Sequence, residues 1–162
     1  MHQAEFDALY ARERPSLVGY LRFLGLAAPE AEDVAQEAFV RALATPGQLG
    51  EVANPRAWLR LVATRLVVDR SRRARIARVN LPRLFQRELP EMADVAGTGL
   101  LVRRAVAKLS SSARAVVGLF YLADFSVSQV AAHLGMSESA VKATLHRARR
   151  ELAALVEEDT FS

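Results

Sequence analysis

The chain has 162 residues, 51% of them apolar, enough for one ordinary domain or two small ones and too apolar for a chain that stays disordered. Cysteine is absent, which excludes disulfides and every cysteine-ligated metal site. Net charge is +4 but uneven: residues 1–50 hold 4 Arg against 7 Asp/Glu, residues 51–90 hold 10 Arg against 3, and residues 91–162 hold 8 of each sign.

In chain order nearly everything reads as helix. Charges are scattered through the N-terminus without an apolar signal-like run, and no apolar stretch approaches the ~18 residues of a membrane span, so a soluble cytoplasmic protein is expected. Residues 3–25 place Phe6, Leu9, Tyr10, Leu17, Leu21 and Leu24 at helical spacing, with Pro15 marking a break or a new first turn. Ala27-Ala28-Pro29 is a short connection, and the next helix, 29–43, buries Val34, Ala35, Ala38 and Ala42. That helix also carries Glu32, Asp33 and Glu37, an acidic face on a basic protein. After the turn-rich "TPGQLGEVANP", Asn54-Pro55 reads as an N-cap and first helical residue. The helix it opens runs to about Arg73 and directs Trp58, Leu61, Val62 and Leu66 inward; Trp58 is expected in the core rather than as a stacking platform. Three helices sharing an apolar face make one compact bundle.

From residue 76 to 99 the period dissolves into a linker, within which 81–87 is a candidate helical turn. A second helical block follows at about 100–108, 111–123, 126–134 and 137–156, with caps expected from Ser110-Ser111-Ser112, Ser126 and Ser137. Within it, "SVSQVAAHLGMSESAVKATLHRARREL" has the pattern of a helix-turn-helix. Ala131 lets two helices cross closely, and Gly135 supplies the left-handed turn four residues later. Val141, Leu145, Ala148 and Leu152 form the inward stripe of the second helix. Ser139, Lys142, Ala143, His146, Arg149 and Arg150 form its outward side, with Arg147 beside them. Polar tips near the helix start can reach base edges, and the later arginines can hold phosphates.

At these residues the sequence resembles the extracytoplasmic-function (ECF) sigma factors of the sigma-70 superfamily. "VKATLHRARREL" is similar to their C-terminal promoter-reading helix, "AEDVAQEAFVRAL" to their region-two helix, and "NPRAWLRLVATRLVVDRSRR" to the segment that follows it. The resemblance spans about 3–74 and 100–153. It implies an all-α fold of two small helical domains joined by a flexible linker, the C-terminal one a helix-turn-helix domain. The divisions implied are 1–75 (sigma domain 2), 76–99 (linker) and 100–162 (sigma domain 4). The function implied is that of a promoter-specificity subunit, not an enzyme, with no cofactor. Its implied partners are core RNA polymerase (the clamp helices of the largest subunit, and the flap region), promoter DNA and an anti-sigma factor.

By the same resemblance, Asp33, Gln36, Glu37 and Arg41 would dock on the clamp helices. Asn54, Arg56, Arg60, Arg65, Arg70, Arg72 and Arg73 would serve the downstream (−10) element, where loop 45–54 helps to capture a flipped base. Ser137, Ser139, Lys142, Ala143, His146, Arg147, Arg149 and Arg150 would serve the upstream (−35) element. Two stretches depart from the family pattern. Arg65 stands where Asn is usual, and Lys142-Ala143-Thr144 stands where Lys-Ser-Arg is usual.

Other classes fit less well. His2, His133 and His146 are dispersed, and neither a nucleophile-base pairing, a phosphate-cradling glycine loop nor a metal cluster presents itself. A stand-alone DNA-binding regulator would explain the C-terminal motif but neither the acidic helix nor the arginine-rich middle.

Overall fold

The computed structural model describes residues 3–45, 54–78 and 105–161, and these form helices without a strand. The linker region expected at 76–99 lies almost wholly outside the described residues, as does most of loop 45–54.

Helix α1 is Gln3–Phe23 and buries Phe6, Leu9, Glu13, Leu17, Tyr20 and Leu21. Pro15 sits inside it without ending it. A proline ring removes one backbone hydrogen bond and crowds the preceding turn, but Leu9 and Leu17 are anchored on either side of it. Packing on both flanks outweighs the local cost, so neither a break nor a new first turn falls at Pro15. At Gly25 the backbone turns through φ 104°, and a Cβ there would run into the Arg114 guanidinium.

Helix α2 is Ala28–Ala44, entered through Pro29 in its first turn. Its inner face is Ala31, Val34, Ala35, Ala38, Phe39 and Ala42. Four small residues in that stripe let α1 and α2 approach closely. Thr45 Oγ1 donates to the Arg41 carbonyl at 2.8 Å and closes its end.

Helix α3 is Pro55–Arg78, longer than the sequence pattern suggests. Asn54 caps it, its Oδ1 accepting from the Ala57 amide at 3.2 Å. Leu59, Ala63, Leu66 and Val67 enter a core with α1 and α2, and Trp58 and Val62 pack half-buried against it. Leu61 does otherwise: it belongs to a second core made by the C-terminal helices, with Val68 beside it. A helix apolar on more than one side is a helix with neighbours on more than one side.

That second core is built from α4 (Ser111–Val117), the π-helical turn Gly118–Leu122 that continues it, α5 (Val127–Leu134) and α6 (Glu138–Phe161). Val116, Leu119, Val130, Val141 and Leu145 are its centre. Tyr20 of α1 meets Gly118 of the π turn, so the two cores adjoin through α1 and α3. Among the described residues no helix is long and apolar enough to cross a membrane, and no cluster of His, Asp and Glu could hold a metal.

Candidate nucleic-acid and protein interfaces

The caps of the helix-turn-helix fall where small polar residues stand. Ser126 Oγ accepts from the Gln129 amide at 3.1 Å, and Gln129 Oε1 accepts from the Ser126 amide at 2.9 Å, a reciprocal capping box opening α5. Gly135 ends α5 at φ 64°, ψ 36°, the left-handed conformation. Ser137 Oγ then accepts from the Ala140 amide at 3.1 Å and opens α6. The first turn of α6 is thereby fixed against α5.

Along α6, Val141 and Leu145 point into the core, and Ser137, Ser139, Lys142, Ala143, His146, Arg147, Arg149 and Arg150 are all exposed. One expectation needs correcting. Leu152 is exposed rather than part of the inward stripe, and Leu155 is buried in its place. The structure also separates the two family departures on this helix. Thr144 is buried, its hydroxyl donating to the Ala140 carbonyl at 2.8 Å, so only Ala143 lies on the outer face.

On α2, Asp33, Gln36 and Arg41 are exposed and Glu37 is half-buried. Glu37 stands between two cations, Arg41 and Arg70, each at 3.4 Å. Asp33 is therefore the more accessible of the two acids one turn apart. Glu32 is paired with Arg14 of α1. Val40 and Leu43 continue the outer side of α2 as exposed apolar residues.

The α3 arginines divide. Arg56 is exposed but its Nε donates to Glu13 at 2.8 Å. Arg60 is half-buried; it lies over the Tyr20 ring, donates to Ser16 Oγ at 3.0 Å and bonds the Leu122 carbonyl. Burial, together with the nearby Arg56 charge, pushes its pKa down, against the opposing pull of the Tyr20, Glu13 and Asp124 side chains. Arg65 Nη2 bonds His133 Nδ1 at 2.8 Å, and Arg70 leans toward Glu37. Arg72 and Arg73 are exposed. Asn54, spent on its capping bond, is exposed as well. Arginine-rich composition thus mixes groups that build the fold with groups that face solvent.

Two residues escape sequence reasoning. Glu13 is a buried carboxylate, 6% exposed, taking bonds from Arg56 and from Arg12 at 3.2 Å. Burial raises its pKa, but the two arginine hydrogen bonds and their charges outweigh that and leave it below the ordinary carboxylate value. Its i, i+4 relation to buried Leu9 and Leu17 was the available signal. Tyr121 is the other: it is 48% exposed, yet its hydroxyl takes the Arg149 Nε proton at 2.7 Å.

Comparison with known proteins agrees with this layout. Residues 9–76 match the family model for sigma-70 region 2, and residues 99–152 match that for sigma-70 region 4. The chain is 38% identical to the ECF RNA polymerase sigma factor SigL of Mycobacterium tuberculosis over 157 residues, covering 93% of this chain and 88% of that one. It is 30% identical to the ECF RNA polymerase sigma factor SigF of Caulobacter vibrioides, covering 91% and 86%. Among solved structures it resembles the sigma factor RpoE bound to the anti-sigma factor NepR from Bartonella quintana, with a TM-score of 0.74, 22% identity and coverage of 94% and 97%. That likeness is one of fold. It also resembles CnrH in complex with the cytosolic domain of CnrY, with a TM-score of 0.57, 28% identity and coverage of 98% and 91%.

Proposed function

The chain belongs to the extracytoplasmic-function sigma factors of the sigma-70 family, and from that membership we propose how its surfaces are divided among partners. As a sigma factor it binds core RNA polymerase, recognises promoter DNA and directs transcription initiation; it is an initiation factor and not an enzyme. We assign residues 1–75 to core docking and downstream-element melting, 76–99 to a linker, and 100–162 to upstream-element recognition. The protein acts in the cytoplasm.

The observation that carries the assignment is α6: its buried stripe and its basic stripe lie on opposite sides, with a capped, glycine-turned α5 behind it. Ser137 and Ser139 at the helix start, with Lys142 and His146, would meet bases, and Arg147, Arg149 and Arg150 would meet phosphates. The acidic side of α2, led by Asp33 with Gln36, Glu37 and Arg41, would meet a basic protein surface on the polymerase clamp helices. The C-terminal domain would meet the flap region.

On α3, Arg72 and Arg73 are the accessible cations for the downstream element, while Arg60 and Arg65 are engaged by Leu122 and His133 of the C-terminal half. Those two would reach DNA only after the halves part, which core binding would bring about. An anti-sigma factor is the partner we propose for the chain away from the polymerase, as RpoE has NepR in its solved complex.

The test is promoter binding and run-off transcription with and without core polymerase. The chain alone should bind promoter duplex poorly, and core plus chain should give a specific transcript. Tight, sequence-specific duplex binding by the chain alone would instead make it a stand-alone regulator.

A further inference from the structure

We propose that Tyr121, outside the recognition helix, is a positioning residue for promoter binding: it presents Arg149 to the DNA backbone. The proposal rests on α6 being the DNA-facing helix.

The geometry begins with the π-helical turn. The Ala123 amide reaches back to the Gly118 carbonyl at 3.1 Å, a five-residue step that widens the helix before α5. From this turn Tyr121 projects toward α6, while Leu119 points into the core. Its ring stands edge-on to Phe120, centroids 4.9 Å apart at 89°, and Phe120 packs against the second core. The ring is thus braced from behind although its outer face is exposed.

Arg149 lies over that ring, its Cζ 5.8 Å from the centroid, and gives its Nε proton to the Tyr121 hydroxyl at 2.7 Å. Using Nε for this bond leaves both Nη atoms as the outer edge of the guanidinium, the edge suited to two oxygens of one phosphate. The hydroxyl accepts from Arg149, so its own proton remains available to a phosphate oxygen. A long, exposed side chain normally loses rotamer freedom when it binds; here part of that ordering precedes the encounter. Two side chains from different helices form one anion-facing unit.

The experiment uses holoenzyme assembled from the full chain and core polymerase, binding promoter duplex across a salt series. Tyr121→Phe keeps the ring and every charge but removes the hydroxyl. It should weaken promoter affinity about three- to tenfold and flatten its salt dependence, as Arg149→Ala should by about one phosphate contact. The double variant should bind no more weakly than Arg149→Ala alone. Melting temperature of the isolated chain should not change with Tyr121→Phe, because the hydroxyl is exposed.

Wild-type affinity and salt slope in Tyr121→Phe, or independent multiplying losses in the double variant, would overturn the proposal. If Arg149→Ala has no effect while Lys142→Ala and His146→Ala weaken binding, the proposal fails but α6 remains the DNA-facing helix. If none of the three weakens binding, the underlying reading of α6 fails as well.

Discussion

Arg65 and His133, sixty-eight positions apart, meet at 2.8 Å, where an α3 guanidinium donates to an imidazole nitrogen of α5. An arginine has only donors, so His133 Nδ1 must be unprotonated and its Nε2 carries the proton. One of the family departures in the sequence is therefore a residue that ties the N-terminal half to the helix-turn-helix, beside the apolar contacts of Leu61 and Val68.

The burial of His133 beside Arg65 should make the folded chain acid-sensitive. Burial lowers the His133 pKa, and the Arg65 charge lowers it further. Arg65, Asp69 and Arg72 line the same cleft, so one carboxylate only partly offsets two cations. Stability should be intact above the usual imidazole value of about 6.5 and fall as pH drops from there toward the lowered value, since the unfolded chain takes up the proton first. Thermal melts from pH 7.5 to 5.5 should show a fall in wild type that His133→Gln reduces. An identical pH profile in the two would mean that His133 titrates alike in both states.

Glu13 should anchor α1 to α3. Glu13→Ala removes a buried acceptor shared by Arg12 and Arg56, and should cost about 1–3 kcal/mol by urea denaturation at pH 7. Because its pKa is lowered from 4.5, its contribution is present above that value and lost as pH falls through the lowered one. Glu13→Gln should therefore lose stability at neutral pH and show a shallower acid limb than wild type.

Gly118→Ala should disturb the join between the halves. The new methyl would lie 2.8 Å from the Tyr20 hydroxyl and 3.2 Å from Leu24 Cδ2. That hydroxyl cannot simply swing away. It donates to Thr64 Oγ1 at 2.7 Å, because the Thr64 proton is spent on the Arg60 carbonyl at 2.6 Å, and burial has pushed its pKa to about 12. A loss of about 1–3 kcal/mol is expected from overpacking. Tyr20→Phe should cost about 0.5–1.5 kcal/mol alone through the lost hydrogen bond, yet recover part of the loss when combined with Gly118→Ala. Strict additivity in the double variant would mean that the two groups do not touch.

Charge reversal on α2 should separate docking from folding. Asp33 is exposed, so Asp33→Arg should weaken core polymerase binding by about tenfold or more and leave the melting temperature within about 2 °C. Glu37→Arg is the less clean variant, because it also sets a third cation beside Arg41 and Arg70. Unchanged core affinity in Asp33→Arg would remove this face from the docking surface.

Much of the fold was legible beforehand because helix signals are local. Ser110, Ser126 and Ser137 cap the helices that follow them, and Gly135 takes the left-handed turn its spacing requires. Misreadings arose where a distant neighbour overrode a local rule. Pro15 stays helical because residues on both flanks are buried. Leu152 is exposed because the inward seam of α6 moves on to Leu155.

Charge was the least legible property. Composition puts ten arginines between residues 51 and 90, and nothing in that count distinguishes Arg56, neutralised by Glu13, from Arg72, which faces solvent. An ion pair depends on the distance between side chains many positions apart, and periodicity along one helix carries no information about it.

The sequence by itself determined most of the helices, their serine caps and the turn of the helix-turn-helix, because each depends on residues within a few positions of one another. Tertiary structure alone decided which charges remain available. Leu61 joins the second core, Arg60 reaches Leu122, Arg65 reaches His133 and Tyr121 holds Arg149, contacts that exist only once separate helices are packed.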